Sequence, residues 1–167
     1  MIARANPRFA LRPYLPRDAE MLAAIFRASI EGLTEDDYNP AQQDAWAAAA
    51  DDEQAFAERL GKHLTLLATL DGAPVGFASL ADNKTIDMLY VHPAVAGQGA
   101  GAILYDAIEK LAAARGATEL TVEASDTARD FFQARGFAPE QRNTISVGNE
   151  WLTNTTMKKK LSQQRSA

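Results

Sequence analysis

A glycine-rich segment between a predicted strand and a predicted helix constrains this chain more than any other feature. The strand is predicted to end at Val91, the segment Gly97-Gln98-Gly99-Ala100-Gly101 follows, and an amphipathic helix begins there. Glycines permit positive φ angles and let a ligand approach the backbone, while a helix start supplies unpaired N–H groups and the positive end of the helix dipole. The segment therefore predicts an anion site, best suited to a phosphate or a pyrophosphate.

The hydrophobic pattern on either side of this segment predicts one α/β domain. Three helices are expected first, of which one runs to about Ile30 and one starts at Asn39-Pro40. An antiparallel meander follows, with the hairpin signal Asp71-Gly72 between two of its strands. A long helix that ends near Gly116, a strand, a helix over Asp126 to Arg135 and a closing hairpin complete the chain. The predicted strands are Phe9 to Pro13, His63 to Leu70, Val75 to Leu80, Thr85 to Val91, Leu120 to Glu123, Ile145 to Val147 and Trp151 to Met157.

The amino-acid composition excludes several kinds of functional site and partner. The 167 residues are 47% hydrophobic and include no cysteine, which excludes disulfides, thiolate metal sites and cysteine nucleophiles. The net charge of −5 argues against nucleic acid and favours a cationic partner such as an amine. No apolar stretch approaches the ~20 residues that cross a bilayer, and His63 and His92 lie too far apart for a zinc site. We expect a soluble, cytoplasmic, metal-free single domain over 1–167, with a frayed tail over 160–167.

A dinucleotide-binding protein is one alternative for the glycine segment. Gly97, Gly99 and Ala102 satisfy the fingerprint of such proteins, and Glu123 lies about 20 residues further on, where a ribose-binding acid belongs. The context differs, because that fingerprint follows the first strand of a repeated βαβ unit, whereas an antiparallel meander precedes it here. A Walker-type phosphate loop is excluded, since no Lys-Ser or Lys-Thr pair follows the glycines.

Two further sets of residues accompany the glycine segment. They are Leu89-Tyr90-Val91-His92-Pro93 before it, and Ala128, Phe131, Phe132, Gly136 and Phe137 after it. With the order of elements, these sets resemble the GNAT superfamily of acetyl-coenzyme A dependent N-acyltransferases over nearly the whole chain. The block from Tyr38 to Trp46, with Thr153 and Asn154, resembles one bacterial branch of it. The resemblance implies a mixed, mainly antiparallel central sheet with helices on both faces and a splayed cofactor cleft beside the Val91 strand.

The resemblance also implies acetyl-coenzyme A as co-substrate. The backbone of the strand that ends at Val91 would pair with the pantetheine arm, and the amides of the glycine segment would hold the pyrophosphate. The Val91 N–H would polarise the thioester carbonyl, which suits acyl transfer because a fixed donor stabilises the developing oxyanion. The implied cofactor-binding residues are Leu89, Tyr90, Val91, Gly97, Gln98, Gly99, Ala100, Gly101, Ala102, Ser125, Phe131 and Phe132.

Two positions depart from the superfamily pattern. Ala96 stands where Arg or Gln is usual, although binding through amides should survive this change. Phe132 occupies the position of the usual tyrosine that protonates the departing thiolate, and Ser125 replaces a frequent asparagine. Because a thiolate with a pKa near ~8.5 is a tolerable leaving group, solvent, Ser125 or another tyrosine can serve instead.

A base is also required, because an amine must lose a proton to attack. Asp87 and Glu123 lie on the strands that flank the proposed cleft, and strand alternation predicts Asp87, Leu89 and Val91 on one face. Tyr38 is predicted to line the acceptor pocket from a loop. The predicted catalytic residues are therefore Asp87, Glu123, Ser125 and Tyr38.

The sequence thus predicts an enzyme that moves an acetyl group from acetyl-coenzyme A to a primary amine by direct attack. A coenzyme A binding or sensing module without turnover is the alternative, because Phe132 replaces the usual acid. A small NAD-dependent protein is the third hypothesis. The acceptor, a small molecule or a peptide amine, is not identified, and no nucleic acid or membrane partner is expected. The closing hairpin allows a homodimer without requiring one.

Overall fold

Seven strands form one sheet in the computed structural model of the chain, which describes residues 8–161. They are β1 (Phe9–Pro13), β2 (Leu64–Leu70), β3 (Ala73–Ala81), β4 (Thr85–Val91), β5 (Glu119–Ser125), β6 (Ala138–Val147) and β7 (Glu150–Lys160). Neighbouring strands follow the order β1-β2-β3-β4-β5-β7-β6, and within the described residues only the β4–β5 pair runs parallel. The expected mixed, mainly antiparallel sheet is confirmed.

Helices lie on both faces of this sheet, also as expected. They are α1 (Ala19–Leu33), α2 (Pro40–Ala47), α3 (Glu53–Lys62), α4 (Ala100–Ala114) and α5 (Arg129–Ala134). The predicted cap at the start of α2 is a capping box, in which Asn39 Oδ1 accepts from the Gln42 N–H at 2.8 Å and Gln42 Oε1 accepts from the Asn39 N–H at 2.9 Å. Within residues 8–161, no helix has the length and apolar character needed to cross a membrane.

Each face of the sheet carries its own hydrophobic core. On one face α4 buries Leu104 and Ile108, and on the other α1 and α3 bury Phe26 and Phe56 against Phe77 of β3. Strand side chains alternate between the faces, so one sheet supplies both cores. Burying each of these side chains contributes about 1.5–3 kcal/mol. The start of α4, where the glycine segment lies, is therefore fixed to the sheet by the core beneath it.

The elements after α4 differ in length from the prediction. β5 begins at Glu119 and ends at Ser125, β6 and β7 are 10 and 11 residues long, and α5 is only 6 residues long. The prediction of a frayed tail from 160 is wrong at Lys160, which lies in β7 and pairs with Glu119 of β5. Polar strand residues lack the apolar alternation on which the prediction relied. Residues 162–167 of the predicted tail lie outside the described residues.

β4 and β5 stay paired only at Thr85 and Ile86, the first two residues of β4. Asp87 then forms a β-bulge, because Ile86 and Met88 face adjacent residues of β3 and Asp87 faces none. A bulge bends its strand and increases the local twist. Beyond the bulge, β4 runs to Val91 apart from β5, and a cleft opens between the two strands. This cleft is the predicted splay.

The bulge also overturns the alternation predicted for β4. Ile86 packs into the core beside α4, whereas Met88, two residues further, packs into the core beside α1 and α3. The Asp87 carboxylate contacts α3, while Leu89 packs on the α4 side. The prediction that Asp87 shares a face with Leu89 and Val91 is therefore wrong, since the extra residue shifts the alternation by one position.

Gly32, near the end of α1, sets how closely this helix approaches the turn before the glycine segment. A Cβ atom on Gly32 would lie 2.7 Å from Cγ of Pro93. We expect Gly32→Ala to lower the free energy of unfolding by about 1–3 kcal/mol, the usual cost of overpacking, as measured by urea denaturation. The matched control is Gly61→Ala in α3, where the new Cβ would lie 4.0 Å from Tyr14, and no loss is expected. Equal losses in both variants would contradict the close approach.

Candidate functional site

The glycine segment lines a cavity of about 390 Å³, called here the loop cavity. The ends of α1 and β4, the first turn of α4 and side chains of α5 complete its walls. The structure brings together here most of the predicted cofactor-binding residues, but Gln98 and Phe132 do not line the cavity. Those that do are Leu89, Tyr90, Val91, Gly97, Gly99, Ala100, Gly101, Ala102, Ser125 and Phe131.

The segment itself has the backbone geometry of an anion site. Gly97 and Gly99 have φ angles of 77° and 99°, in the left-handed region that favours glycine. Gly99 caps α4 and no side chain within residues 8–161 caps this helix start, so the first-turn N–H groups at Ala100 to Ala102 keep no intrahelical acceptor. The Gln98 N–H differs, because it donates to the Val95 carbonyl at 3.2 Å. Backbone N–H donors at the start of α4, the positive end of its dipole, are therefore available to a ligand in the loop cavity.

The end of β4 presents a second row of backbone donors. The His92 N–H donates to the Val75 carbonyl of β3 at 2.8 Å. Backbone groups alternate between the two edges of a strand, so the N–H of Val91, one residue earlier, points to the opposite edge. This edge faces the cleft, because β5 no longer pairs with β4 there. An extended ligand can therefore add to this edge as a strand would.

A second cavity, of about 270 Å³, is called here the hairpin pocket because residues of β6 and β7 form one of its walls. A cleft of about 80 Å³ between β4 and β5 lies next to it. Trp46, Tyr90 and Ser125 line the loop cavity, the cleft and the hairpin pocket alike. Two ligands, one in each cavity, would therefore meet at these three side chains.

Asp87, at the bulge, is held in an ion pair. Arg59 of α3 donates from Nε to Asp87 Oδ2 at 2.8 Å and from Nη2 to Oδ1 at 3.1 Å, and this pairing raises the pKa of Arg59. His63 Nε2 lies 3.7 Å from Asp87 Oδ2. Both carboxylate oxygens of Asp87 thus have a guanidinium partner. In the described part of the chain, no group of three His, Cys, Asp or Glu side chains is placed to hold a metal ion.

Glu123 of β5 has a different environment. Its Oε2 accepts from Asn143 Nδ2 at 3.1 Å and from Thr156 Oγ1 at 2.7 Å. No cation lies within 4 Å of its carboxylate among residues 8–161, and the side chain is exposed to solvent. Glu123 lines both the cleft and the hairpin pocket. Its Oε1 is therefore an available carboxylate oxygen beside the junction of the two cavities.

Tyr38 is buried beside the hairpin pocket, and its hydroxyl makes two hydrogen bonds. It donates to the Thr153 carbonyl of β7 at 2.6 Å and accepts from the Asp126 N–H after β5 at 2.9 Å. Burial raises the pKa of Tyr38. The Asp126 carboxylate accepts from Arg142 and Thr153, and although burial raises its pKa, these bonds lower the pKa overall. Tyr38 thus fixes the wall of the pocket.

Aromatic side chains shape the junction of the two cavities. The Tyr38 and Trp46 rings meet edge to face at 5.3 Å, and Trp46 Nε1 donates to the Tyr90 hydroxyl at 3.3 Å. Burial raises the pKa of Tyr90 to about 12.

Phe132 does not belong to this junction. It lies in the core among Tyr105, Phe131 and Phe137, and of the three openings it lines the cleft. The position where the superfamily usually has tyrosine is thus occupied by a core side chain.

Sequence reasoning missed several residues of the site. Arg59 reaches Asp87 from α3, Arg135 lines the loop cavity at the end of α5, and Ser29 and Thr34 line it from α1. No local pattern marks Ser29, Thr34 and Arg59, because α1 and α3 precede the glycine segment by more than one whole element. Arg135 follows that segment but is not one of the residues that carry the resemblance. The predicted site residue Ser125 does line the loop cavity, and its Oγ accepts from the Ala128 N–H at 3.1 Å.

An uncapped helix start and an open strand edge thus face one cavity, and a pocket lined by two acids adjoins it at the junction. Residues 34–161 match the family described as "Acetyltransferase (GNAT) domain". The chain belongs to this family of acyltransferases, and the resemblance predicted from the sequence is confirmed.

Relatives with known sequences or structures agree with this assignment. The chain is 34% identical over 150 residues to the N-acetyltransferase YafP of Escherichia coli strain K12, which covers 90% of this chain and 95% of YafP. It is 60% identical to the crystal structure of a GCN5-related N-acetyltransferase from Rhodopseudomonas palustris, with a TM-score of 0.91 and coverage of 96% and 99%. The PaiA N-acetyltransferase of Thermoplasma acidophilum, solved with coenzyme A, has the same fold at 20% identity and a TM-score of 0.76, over 92% of this chain and 99% of PaiA.

Removing the Tyr38 hydroxyl tests its role as a clamp between β5 and β7. We expect Tyr38→Phe to lower the free energy of unfolding by about 1–3 kcal/mol, because the Thr153 carbonyl and the Asp126 N–H both lose a buried partner. Tyr14→Phe is the control, because the hydroxyl of Tyr14 makes no hydrogen bond within residues 8–161. Burial, and after it the charge of Asp18, raises the pKa of that hydroxyl. Thermal denaturation of both variants measures the difference, and a Tyr38→Phe variant as stable as the control would contradict the clamp.

Proposed function

We propose that this protein transfers the acetyl group of acetyl-coenzyme A to a primary amine by direct attack. The observation that carries the proposal is that the uncapped start of α4 and the open edge of β4 face a single cavity. Coenzyme A has a pyrophosphate that suits the N–H groups at the start of α4. The pantetheine arm that follows it carries amides that suit the open edge of β4.

Solved relatives support the choice of cofactor. The PaiA structure contains coenzyme A, and the YncA structure from Salmonella typhimurium, which shares the fold at a TM-score of 0.63, contains acetyl-coenzyme A. In this chain the N–H groups of Ala100 to Ala102 would hold the pyrophosphate, and the backbone of Leu89 and Val91 would pair with the pantetheine arm. The acetyl group would then lie near the junction with the hairpin pocket.

The charges of the hairpin pocket support an amine as acceptor. Its charged lining residues in the described part of the chain are Arg59, Asp87 and Glu123, one positive and two negative, which leaves one net negative charge. Arg59 and Asp87 neutralise each other in their ion pair. The pocket thus attracts a cation, and an amine bound there faces the junction lined by Trp46 and Tyr90.

In the proposed reaction the amine nitrogen attacks the thioester carbonyl carbon. A C–N bond forms, the C–S bond breaks, and coenzyme A departs as a thiolate. The Val91 N–H donates to the carbonyl oxygen while negative charge develops on it, which lowers the barrier because the donor is already in place. The amine gives up its extra protons to a base before and during attack, and the thiolate takes one proton.

Glu123 is the base that the contacts favour over Asp87. Both Asp87 oxygens accept hydrogen bonds from Arg59, whereas both hydrogen bonds to Glu123 fall on Oε2 and leave Oε1 available. Glu123 would act directly or through one water molecule. Ser125 lines the junction, and its Oγ accepts from the Ala128 N–H, so its own proton is free to be donated toward the departing sulfur.

Amine-dependent release of free thiol from acetyl-coenzyme A tests the proposal. With a panel of primary amines, we expect the wild-type chain to release thiol and Glu123→Gln to lower kcat about 100-fold, the usual contribution of a general base. We expect Asp87→Asn to have the smaller effect of the two. Glu119→Gln on the same strand, outside both cavities, is the matched control.

Results other than the expected ones would each contradict a different part of the proposal: the base, the reaction or the cofactor. Full activity of Glu123→Gln together with loss in Asp87→Asn would transfer the base role to Asp87. Binding of acetyl-coenzyme A without thiol release across the panel would favour a coenzyme A sensing module. Binding of NAD in place of coenzyme A in a calorimetric titration would overturn the cofactor assignment.

A further inference from the structure

The loop cavity contains a single charged side chain among its described lining residues, that of Arg135. A cationic side chain would strengthen the binding of a ligand with several phosphate charges, because ionised hydrogen bonds are about twice as strong as neutral ones. Ala96, at the start of the glycine segment, lines the same cavity but offers no charge. Among the described lining residues, Arg135 is therefore the cation that a phosphate bound in this cavity would meet.

Arg135 is held in place by α5 itself. Its guanidinium carbon lies 3.7 Å from the centroid of the Phe131 ring, and Nη1 donates to the Phe131 carbonyl at 3.0 Å. The Phe131 ring in turn packs on the glycine segment, since a Cβ on Gly101 would lie 3.5 Å from it. The chain of contacts from Gly101 through Phe131 to Arg135 fixes the cation beside the uncapped helix start.

In the part of the chain that the structure describes, the Arg135 guanidinium has no acidic partner. No carboxylate lies within 4 Å of it among residues 8–161, in contrast to Arg12, Arg59 and Arg142, which each pair with an aspartate. One of its five N–H donors is used by the Phe131 carbonyl, and the planar fork that remains matches the geometry of phosphate oxygens. Stacking on an aromatic ring leaves this edge of the guanidinium free.

We propose that Arg135 binds a phosphate of coenzyme A and supplies the cationic contact that Ala96 does not provide. This inference rests on the proposed function, because it concerns the same cofactor. Coenzyme A carries a pyrophosphate and a 3′-phosphate, and both have the chemistry that the guanidinium recognises.

Calorimetric titration of the full chain with coenzyme A and with 3′-dephospho-coenzyme A tests the inference. We expect Arg135→Gln to raise the Kd for coenzyme A about tenfold, as loss of one charge-assisted contact should, and Arg135→Lys to raise it less. Arg129→Gln, on the same helix but outside the loop cavity, should bind as the wild type does. If the tenfold loss disappears with the dephospho ligand, Arg135 holds the 3′-phosphate, and if it persists, Arg135 holds the pyrophosphate.

A purely structural role for Arg135 gives a different result. A phosphate contact makes the Kd of the wild type rise more steeply with salt concentration than that of Arg135→Gln, whereas a packing defect leaves the two salt dependences equal. Equal salt dependences, or a Kd unchanged in Arg135→Gln, would overturn the inference. Failure of the wild type to bind coenzyme A would instead refute the proposed function, so the two failures are distinguishable.

Discussion

The divergence of β4 from β5 is the constraint on which the rest of the site depends. The two strands pair at Thr85 and Ile86, and the bulge at Asp87 then bends β4 away. Without this divergence, the N–H of Val91 would be used by β5 and the sheet would have no opening. The bulge therefore converts an interior strand into an exposed edge at one end only, while its other end keeps the sheet continuous.

The helix start and the strand edge work as one site because two cores hold them against the same sheet. Leu104 and Ile108 fix α4 from one side, and Phe26 and Phe77 fix β3 and α1 from the other. Close packing makes these positions rigid. The site therefore needs few polar side chains for binding, since most of its donors are backbone groups set in place by the fold.

The catalytic roles depend on contacts between distant elements. Asp87 and Glu123 look equivalent as acids on neighbouring strands, yet Arg59 from α3 pairs with Asp87. Within residues 8–161, the donors that reach Glu123 are neutral and come from β6 and β7. The guanidinium donates to both oxygens of Asp87, whereas the neutral donors both contact a single oxygen of Glu123. Similarly, the Tyr38 hydroxyl bridges the ends of β5 and β7. The difference between the two acids arises from residues far away in the chain.

The sequence by itself determined the parts of this protein that local chemistry fixes. The Asp71-Gly72 turn, the Asn39 cap and the glycine segment were readable because each depends on residues a few positions apart. The family was readable because several such short sets follow one another in a fixed order along the chain. Only the tertiary structure decided the bulge at Asp87, the strand pairing of Lys158 to Lys160, the partner of each acid and the place of Arg135. These depend on which elements pack together, and packing joins residues that no local spacing relates.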